Sequence, residues 1–125
     1  MVSQTEPKLV GIVDDDESVR SALQGLITAA GFRALTFASA EDFLNSDEQE
    51  HCACLIVDIR LLGMSGLELQ AKLNAGHYRI PIIFITANGD EEVRLQALRA
   101  GAVEFLTKPF DQGALLGNVR AALGS

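Results

Sequence analysis

The chain has 125 residues, enough for one domain with a real core and too few for two. It is 48% hydrophobic, has no Trp and carries a net charge of -7, which argues against a domain that grips nucleic acid by its own surface. No apolar run approaches a membrane span, and the N-terminus lacks the basic-then-apolar order of a signal peptide. A cytoplasmic protein without membrane contact is expected.

Residues 1–7 are polar and read as a loose lead-in. Lys8 to Val13, apolar from Leu9 onward, predicts a first strand, which runs into Asp14-Asp15-Asp16. Asp16 or Glu17 suits a helix N-terminus, Val19, Leu23, Leu26, Ile27 and Ala30 recur at helical spacing, and Gly31 suits a C-terminal cap. Arg33 to Phe37 predicts a second, shorter strand. Ser39 opens a helix with Asp42 in a capping-box arrangement and Phe43 and Leu44 as its apolar face. A polar, acidic loop follows from Asn45 to Glu50. Ala53 to Val57 predicts the third strand, ending in Asp58. Cys52, just before it, and Cys54, within it, are expected to point to opposite faces and to make a poor disulfide pair, so buried reduced thiols and a reducing compartment fit.

After a loop to Met64, Ser65 is a plausible cap for a helix from Gly66 with Leu69 and Leu73 on one face, ending near Gly76. Pro81 to Ile85 predicts the fourth strand, running into Thr86, and Asn88-Gly89 is a turn signal. Asp90, Glu91 and Glu92 open a helix lined by Val93, Ala97 and Ala100 and stopped by Gly101. Ala102 to Leu106 predicts the fifth strand. Pro109 breaks the chain, Asp111 caps, and Leu115, Leu116, Val119 and Leu123 mark the last helix. Five repeats of strand then helix predict one α/β domain over 1–125: a doubly wound parallel sheet with five helices on its two faces.

Short unbroken apolar runs are the mark of parallel strands buried on both faces, and in such sheets ligands bind at the carboxyl ends of the strands. Those ends deliver Asp14, Asp15, Asp58, Thr86 and Lys108. Each alone has an ordinary reading as a cap, a turn or a solvated loop residue. Together they match one chemistry. Three carboxylates in one crevice repel each other and call for a hard divalent cation, and magnesium also bridges to phosphate. Lys108 offers a positive charge and Thr86 a hydroxyl to phosphoryl oxygens. A carboxylate can itself attack phosphorus, and Asp58, alone on the middle strand, is the candidate. Asp14 and Asp15 are better placed to hold metal.

The stretches V-D-D-D-E (Val13–Glu17), L-I-V-D-I-R (Leu55–Arg60), M-S-G-L-E (Met64–Glu68), P-I-I-F-I-T-A (Pro81–Ala87) and G-A-V-E-F-L-T-K-P-F (Gly101–Phe110) stand in order across nearly the whole chain. In these the chain resembles the receiver domain of bacterial two-component response regulators, of the FixJ/NarL-like group. The resemblance implies a flavodoxin-like fold with strand order 2-1-3-4-5 and a signalling domain rather than an enzyme. It implies Asp58 as phosphoacceptor and Mg2+ held by Asp14, Asp15, Asp58 and the backbone carbonyl of Arg60. Thr86 and Lys108 would contact the phosphoryl group, Ala87 would keep the site open, Thr86 and Phe105 would form the switch, and Lys108-Pro109 would be cis. It further implies a sensor histidine kinase as partner and a DNA-binding transcriptional output domain. The chain stops just after the fifth predicted helix, which leaves room for that domain beyond Ser125. A stand-alone receiver, acting as a phosphorelay or protein-interaction switch, is the alternative. Phosphorylation is expected to promote a homodimer through the fourth helix and fifth strand, where Ala97, Ala100 and Val103 stand among Arg94, Arg99 and Glu104.

One stretch departs from the pattern: Leu61-Leu62-Gly63 stands where many members have a proline, and a less restrained loop is expected there. Two other functions fit worse. A phosphohydrolase similar to the haloacid-dehalogenase group needs an acid two residues past the nucleophile, where Arg60 stands. A flavin-binding domain needs a Gly- or Ser/Thr-rich phosphate loop, and Asp14-Asp15-Asp16 would repel the phosphate. His51 beside Cys52 and Cys54 is too compact in sequence to converge on a metal, and His77 is expected to be solvated.

Overall fold

A computed structural model describes residues 8–87 and 89–124. The lead-in at 1–7 and the Asn88 half of the expected turn lie outside the described residues. The elements run β1 (Leu9–Val13), α1 (Glu17–Ala29), β2 (Arg33–Phe37), α2 (Ala40–Asn45), β3 (Cys52–Asp58), α3 (Gly66–Ala75), β4 (Ile82–Thr86), α4 (Glu91–Arg99), β5 (Glu104–Thr107) and α5 (Gln112–Ala122). The strands form one parallel sheet in the order β2-β1-β3-β4-β5.

Alternation along the strands feeds two cores. Val10, Ile12, Ile56, Ile83 and Ile85 meet Leu23 and Ile27 of α1 and Leu115 and Val119 of α5. Val13, Leu55, Val57, Ile82 and Phe84 meet Phe43 of α2, Leu69 and Leu73 of α3 and Ala97 of α4. Helices therefore cover both faces, which is why β1, β3 and β4 are apolar up to the Asp58 and Thr86 that end the last two, and are buried along their length but for Ala53.

The helix starts follow the expected side-chain chemistry. Asp16 accepts from the Ser18 and Val19 amides, Ser39 from Asp42, Asp90 from Glu92 and Val93, and Asp111 from Gly113. The reciprocal capping box forms at Ser65 and Glu68, whereas at Ser39, the expected site, only the bond from the Asp42 amide is made. At the helix ends, Gly31 and Gly101 take positive φ (99° and 107°) as expected. After α3 that conformation falls on His77 (φ 64°) rather than on Gly76, and the Tyr78 amide closes the turn on the Leu73 carbonyl.

Two local expectations change, and a third holds for a reason the spacing does not give. The fifth strand begins at Glu104, because the Ala102 amide is used to close the end of α4 on the Ala97 carbonyl. Ala97, expected on the surface of the fourth helix, is fully buried in the core. Cys52 and Cys54 do lie on opposite faces, Cys52 with Leu55 and Val57 and Cys54 with Ile56. Spacing alone does not produce this, since residues two apart on a regular strand share a face. Leu9 pairs with Cys52 and Val10 with Cys54, so Ala53 is an extra residue in a bulge that reverses the alternation. Both thiols are free and buried, and burial pushes them up to about 11 for Cys52 and about 12 for Cys54.

Candidate functional site

From β1 the chain crosses to β2 on one side, and β3 then returns on the other side of β1. The crevice outside the carboxyl ends of β1 and β3 is therefore the place where this architecture accepts ligands. Val13 pairs with Val57, so Asp14 and Asp58 emerge side by side at that edge. Both carboxylates are buried, Asp14 fully and Asp58 at 7% exposure, while Asp15 is exposed. One oxygen from each of Asp14, Asp15 and Asp58 lies within 4.8 Å of the others. Three oxygen donors of this kind fit a hard divalent cation.

The backbone orients the two buried acids. Asp14 Oδ1 accepts from the Asp16 amide at 2.9 Å, and Asp58 Oδ1 accepts from the Arg60 amide at 2.9 Å. Their other oxygens face Lys108, whose Nζ is 3.5 Å from Asp14 Oδ2 and 3.4 Å from Asp58 Oδ2. These separations exceed those of a tight charge-assisted bond, so the ammonium is shared between two carboxylates rather than locked to one. Burial is the first cause of a raised pKa at Asp14, and the Asp58 charge adds to it; the Asp16 amide and Lys108 oppose it. Asp16, at the crevice rim, is lowered instead, chiefly by the Ser18 hydroxyl and amide.

Lys108 follows β5, and its own amide donates to the Thr86 carbonyl at 2.7 Å; the bond to Pro109 is cis. Thr86 ends β4 one residue past Ile85, the register partner of Asp58, and is 1% exposed. Phe105 pairs with Phe84, two residues before Thr86 on the same face, and packs in the core that includes Ala97 of α4. Every strand-end residue expected from the sequence thus converges on one edge, and Phe105 lies just beneath it.

Three contributors were not singled out from the sequence. Arg20 of α1 donates from Nη1 to the Asp14 carbonyl at 2.8 Å, fixing the turn that carries the acids. Gly66, at the start of α3, packs so closely that an added Cβ would lie 2.7 Å from the Asp58 carbonyl oxygen and 3.1 Å from the Phe84 ring. Glu41 of α2 accepts from the Met64 amide at 3.1 Å. An acidic loop followed by an Arg early in the helix hints at the first, but nothing local signals the other two. The loop expected to be loose has these restraints: Leu61 is buried against the core, Gly63 takes φ 78°, and Leu62 between them is 79% exposed.

Fold and site together define an acidic, lysine-bearing pocket on a doubly wound sheet, the arrangement of a phosphoacceptor signalling domain. The chain belongs to the response regulator receiver domain family, whose model matches residues 10–120. It is 46% identical over 118 residues to the response regulator protein TmoT of Ectopseudomonas mendocina, covering 94% of this chain and 54% of that protein. It is 38% identical over 115 residues to the transcriptional regulatory protein FixJ of Azorhizobium caulinodans, covering 92% and 54%. Among solved structures, the response regulator StyR superposes with a TM-score of 0.87 at 47% identity, covering 94% of this chain and 59% of that one. The chain thus spans about half the length of the curated relatives it matches. Among the described residues, no helix is long and apolar enough to cross a membrane.

Proposed function

We propose that this domain takes a phosphoryl group onto Asp58 from a phosphohistidine of a sensor kinase and passes the signal on through α4 and β5. One observation carries the reading: Asp58, at the end of the middle strand, has one oxygen held by the Arg60 amide and the other turned toward Lys108, and unlike the fully buried Asp14 its side chain keeps some exposure to an incoming donor. In the transfer a carboxylate oxygen of Asp58 bonds to phosphorus as the nitrogen–phosphorus bond of the donor breaks. The imidazole nitrogen keeps that electron pair and is protonated from solvent. Lys108 Nζ, already between Asp14 and Asp58, follows the new negative charge, and the Thr86 hydroxyl donates to a phosphoryl oxygen.

Asp14, Asp15, Asp58 and the Arg60 carbonyl would hold Mg2+, which when bound offsets the charge of the carboxylates and of the phosphoryl oxygens. Without it, three carboxylates share one crevice with one lysine, and Asp14 is raised, first by its burial and then by the Asp58 charge.

Thr86 and Phe105 are already buried in this conformation. In this scheme phosphorylation acts on these two buried side chains by population shift, a local charge event biasing the α4–β5 surface. The readout surface is α4 with β5, where Leu95 is 36% and Val103 40% exposed beside Arg94, Arg99 and Glu104. A symmetric pair through this face would align two output domains on a palindromic DNA site, the reading that the similarity to FixJ supports. The domain itself, at net charge -7, makes no direct nucleic-acid contact in this scheme. The test is to treat the protein with a small-molecule phosphodonor and Mg2+, trap the acyl phosphate with borohydride, and map the modified peptide. Modification at position 58 supports the assignment; modification at 14 or 15 overturns it.

A further inference from the structure

We infer that Glu41 is a positioning residue for phosphoryl transfer, acting on Asp58 through the loop between β3 and α3. The inference rests on the reading of Asp58 as acceptor. That loop carries the Arg60 amide, which holds Asp58 Oδ1, and the Arg60 carbonyl proposed as a metal ligand. Its two ends are fixed by the sheet and by α3: the Ile59 amide donates to the Ile85 carbonyl at 3.0 Å, and the Gly66 amide to the Ile59 carbonyl at 3.1 Å. Between them stands Gly63, with the freedom of a glycine and no proline nearby to limit it. Two contacts restrain this middle portion. Leu61 buries its side chain in the core shared by α2 and α3. Glu41, 23 residues earlier in the chain, reaches across from the first turn of α2 to take the Met64 amide.

The Glu41 carboxylate also lies where a side chain at position 63 would start, 2.9 Å from a Cβ built there. Gly63 at φ 78° and Glu41 therefore form one fitted unit, a glycine turn seated on a carboxylate. The acid is well placed at a helix N-terminus, where the backbone dipole favours negative charge. The tether holds the returning half of the loop while Leu61 holds the outgoing half, and Arg60 sits next to the latter. Releasing Glu41 frees Gly63 and Met64 to move and loosens the peptide that orients Asp58.

The test compares wild type, Glu41→Ala and Glu41→Gln, with labelling by a small phosphodonor followed as a function of Mg2+. One ordinary hydrogen bond changes the ratio of held to released loop by about two- to ten-fold, so Glu41→Ala should slow labelling by a factor in that range. Its half-saturating Mg2+ concentration should rise and its Met64 amide should exchange faster with solvent. Glu41→Gln, which keeps an acceptor oxygen, should restore most of the rate. Normal wild-type labelling with an unchanged rate in Glu41→Ala overturns the role, as does a Glu41→Gln protein as slow as Glu41→Ala. A wild-type chain that takes no phosphoryl group at all instead refutes the acceptor reading, and the role of Glu41 falls with it.

Discussion

Replacing Gly66 by alanine sets two effects of opposite sign against each other. Helix propensity favours alanine over glycine by up to about 1 kcal/mol, so an exposed glycine in a helix should gain from the change. At Gly66 the new methyl would lie 2.7 Å from the Asp58 carbonyl oxygen, 3.1 Å from Ile59 Cα and 3.1 Å from Phe84 Cε1, and two of these three are backbone atoms. Forcing a methylene-sized group into packed surroundings costs about 1–3 kcal/mol. The net expectation is a loss of about 1–2 kcal/mol. For a chain of 125 residues, 1 kcal/mol corresponds to roughly 4 °C, so Tm should fall by about 4–8 °C. Gly25, inside α1 with nothing within 4 Å of its added Cβ, is the control, and Gly25→Ala should raise Tm by roughly 2–4 °C. Thermal melts of the two variants decide the matter. A Gly66→Ala protein as stable as wild type, or more so, would refute the argument that this glycine makes room for the acceptor strand. Because the clash falls on Asp58 itself, the same variant should also label more slowly with a phosphodonor.

Three further outcomes follow from the same geometry. Excess Mg2+ should stabilise the domain by about 2.7 kcal/mol at one hundred times its dissociation constant, roughly 10 °C in Tm, and Asp15→Ala should abolish most of that shift. In metal-free buffer Asp14→Asn should melt above wild type at neutral pH. The folded pKa of Asp14 is raised, so its charged form weakens the fold above that value; the gap should close as pH falls through it, and a gap that widens toward acid would contradict the burial argument. Beryllofluoride, a mimic of the phosphoryl group, should double the mass seen by light scattering, and Val103→Asp, at a 40% exposed position on the α4–β5 face, should hold it monomeric.

Most of the site was legible because its residues follow apolar runs. A parallel strand buried on both faces has to be apolar, so the first carboxylate, hydroxyl or amine after it marks the edge where ligands bind. Asp14, Asp58 and Thr86 are each visible in this way, and the structure gathers them. What escaped depends on partners far away in the chain. Cys52 and Cys54 sit on opposite faces because Ala53 bulges against β1, and a bulge is a property of the pair of strands. Ala97 reads as a surface residue until α3 is packed beside it, where the Gln70 amide donates to its carbonyl at 3.0 Å. The seat that Glu41 provides for Gly63 joins α2 to a loop beyond the next strand. The absence of a proline in that loop was visible, but the burial of Leu61 and the reach of Glu41 that accompany it were not.

The central claim, that Asp58 carries the phosphoryl group, is tested most directly by weighing intact protein. Wild type and Asp58→Asn are incubated with a small-molecule phosphodonor and Mg2+ and measured by mass spectrometry. The account predicts the mass of one phosphoryl group on wild type and none on Asp58→Asn. An equal gain in the variant would contradict it.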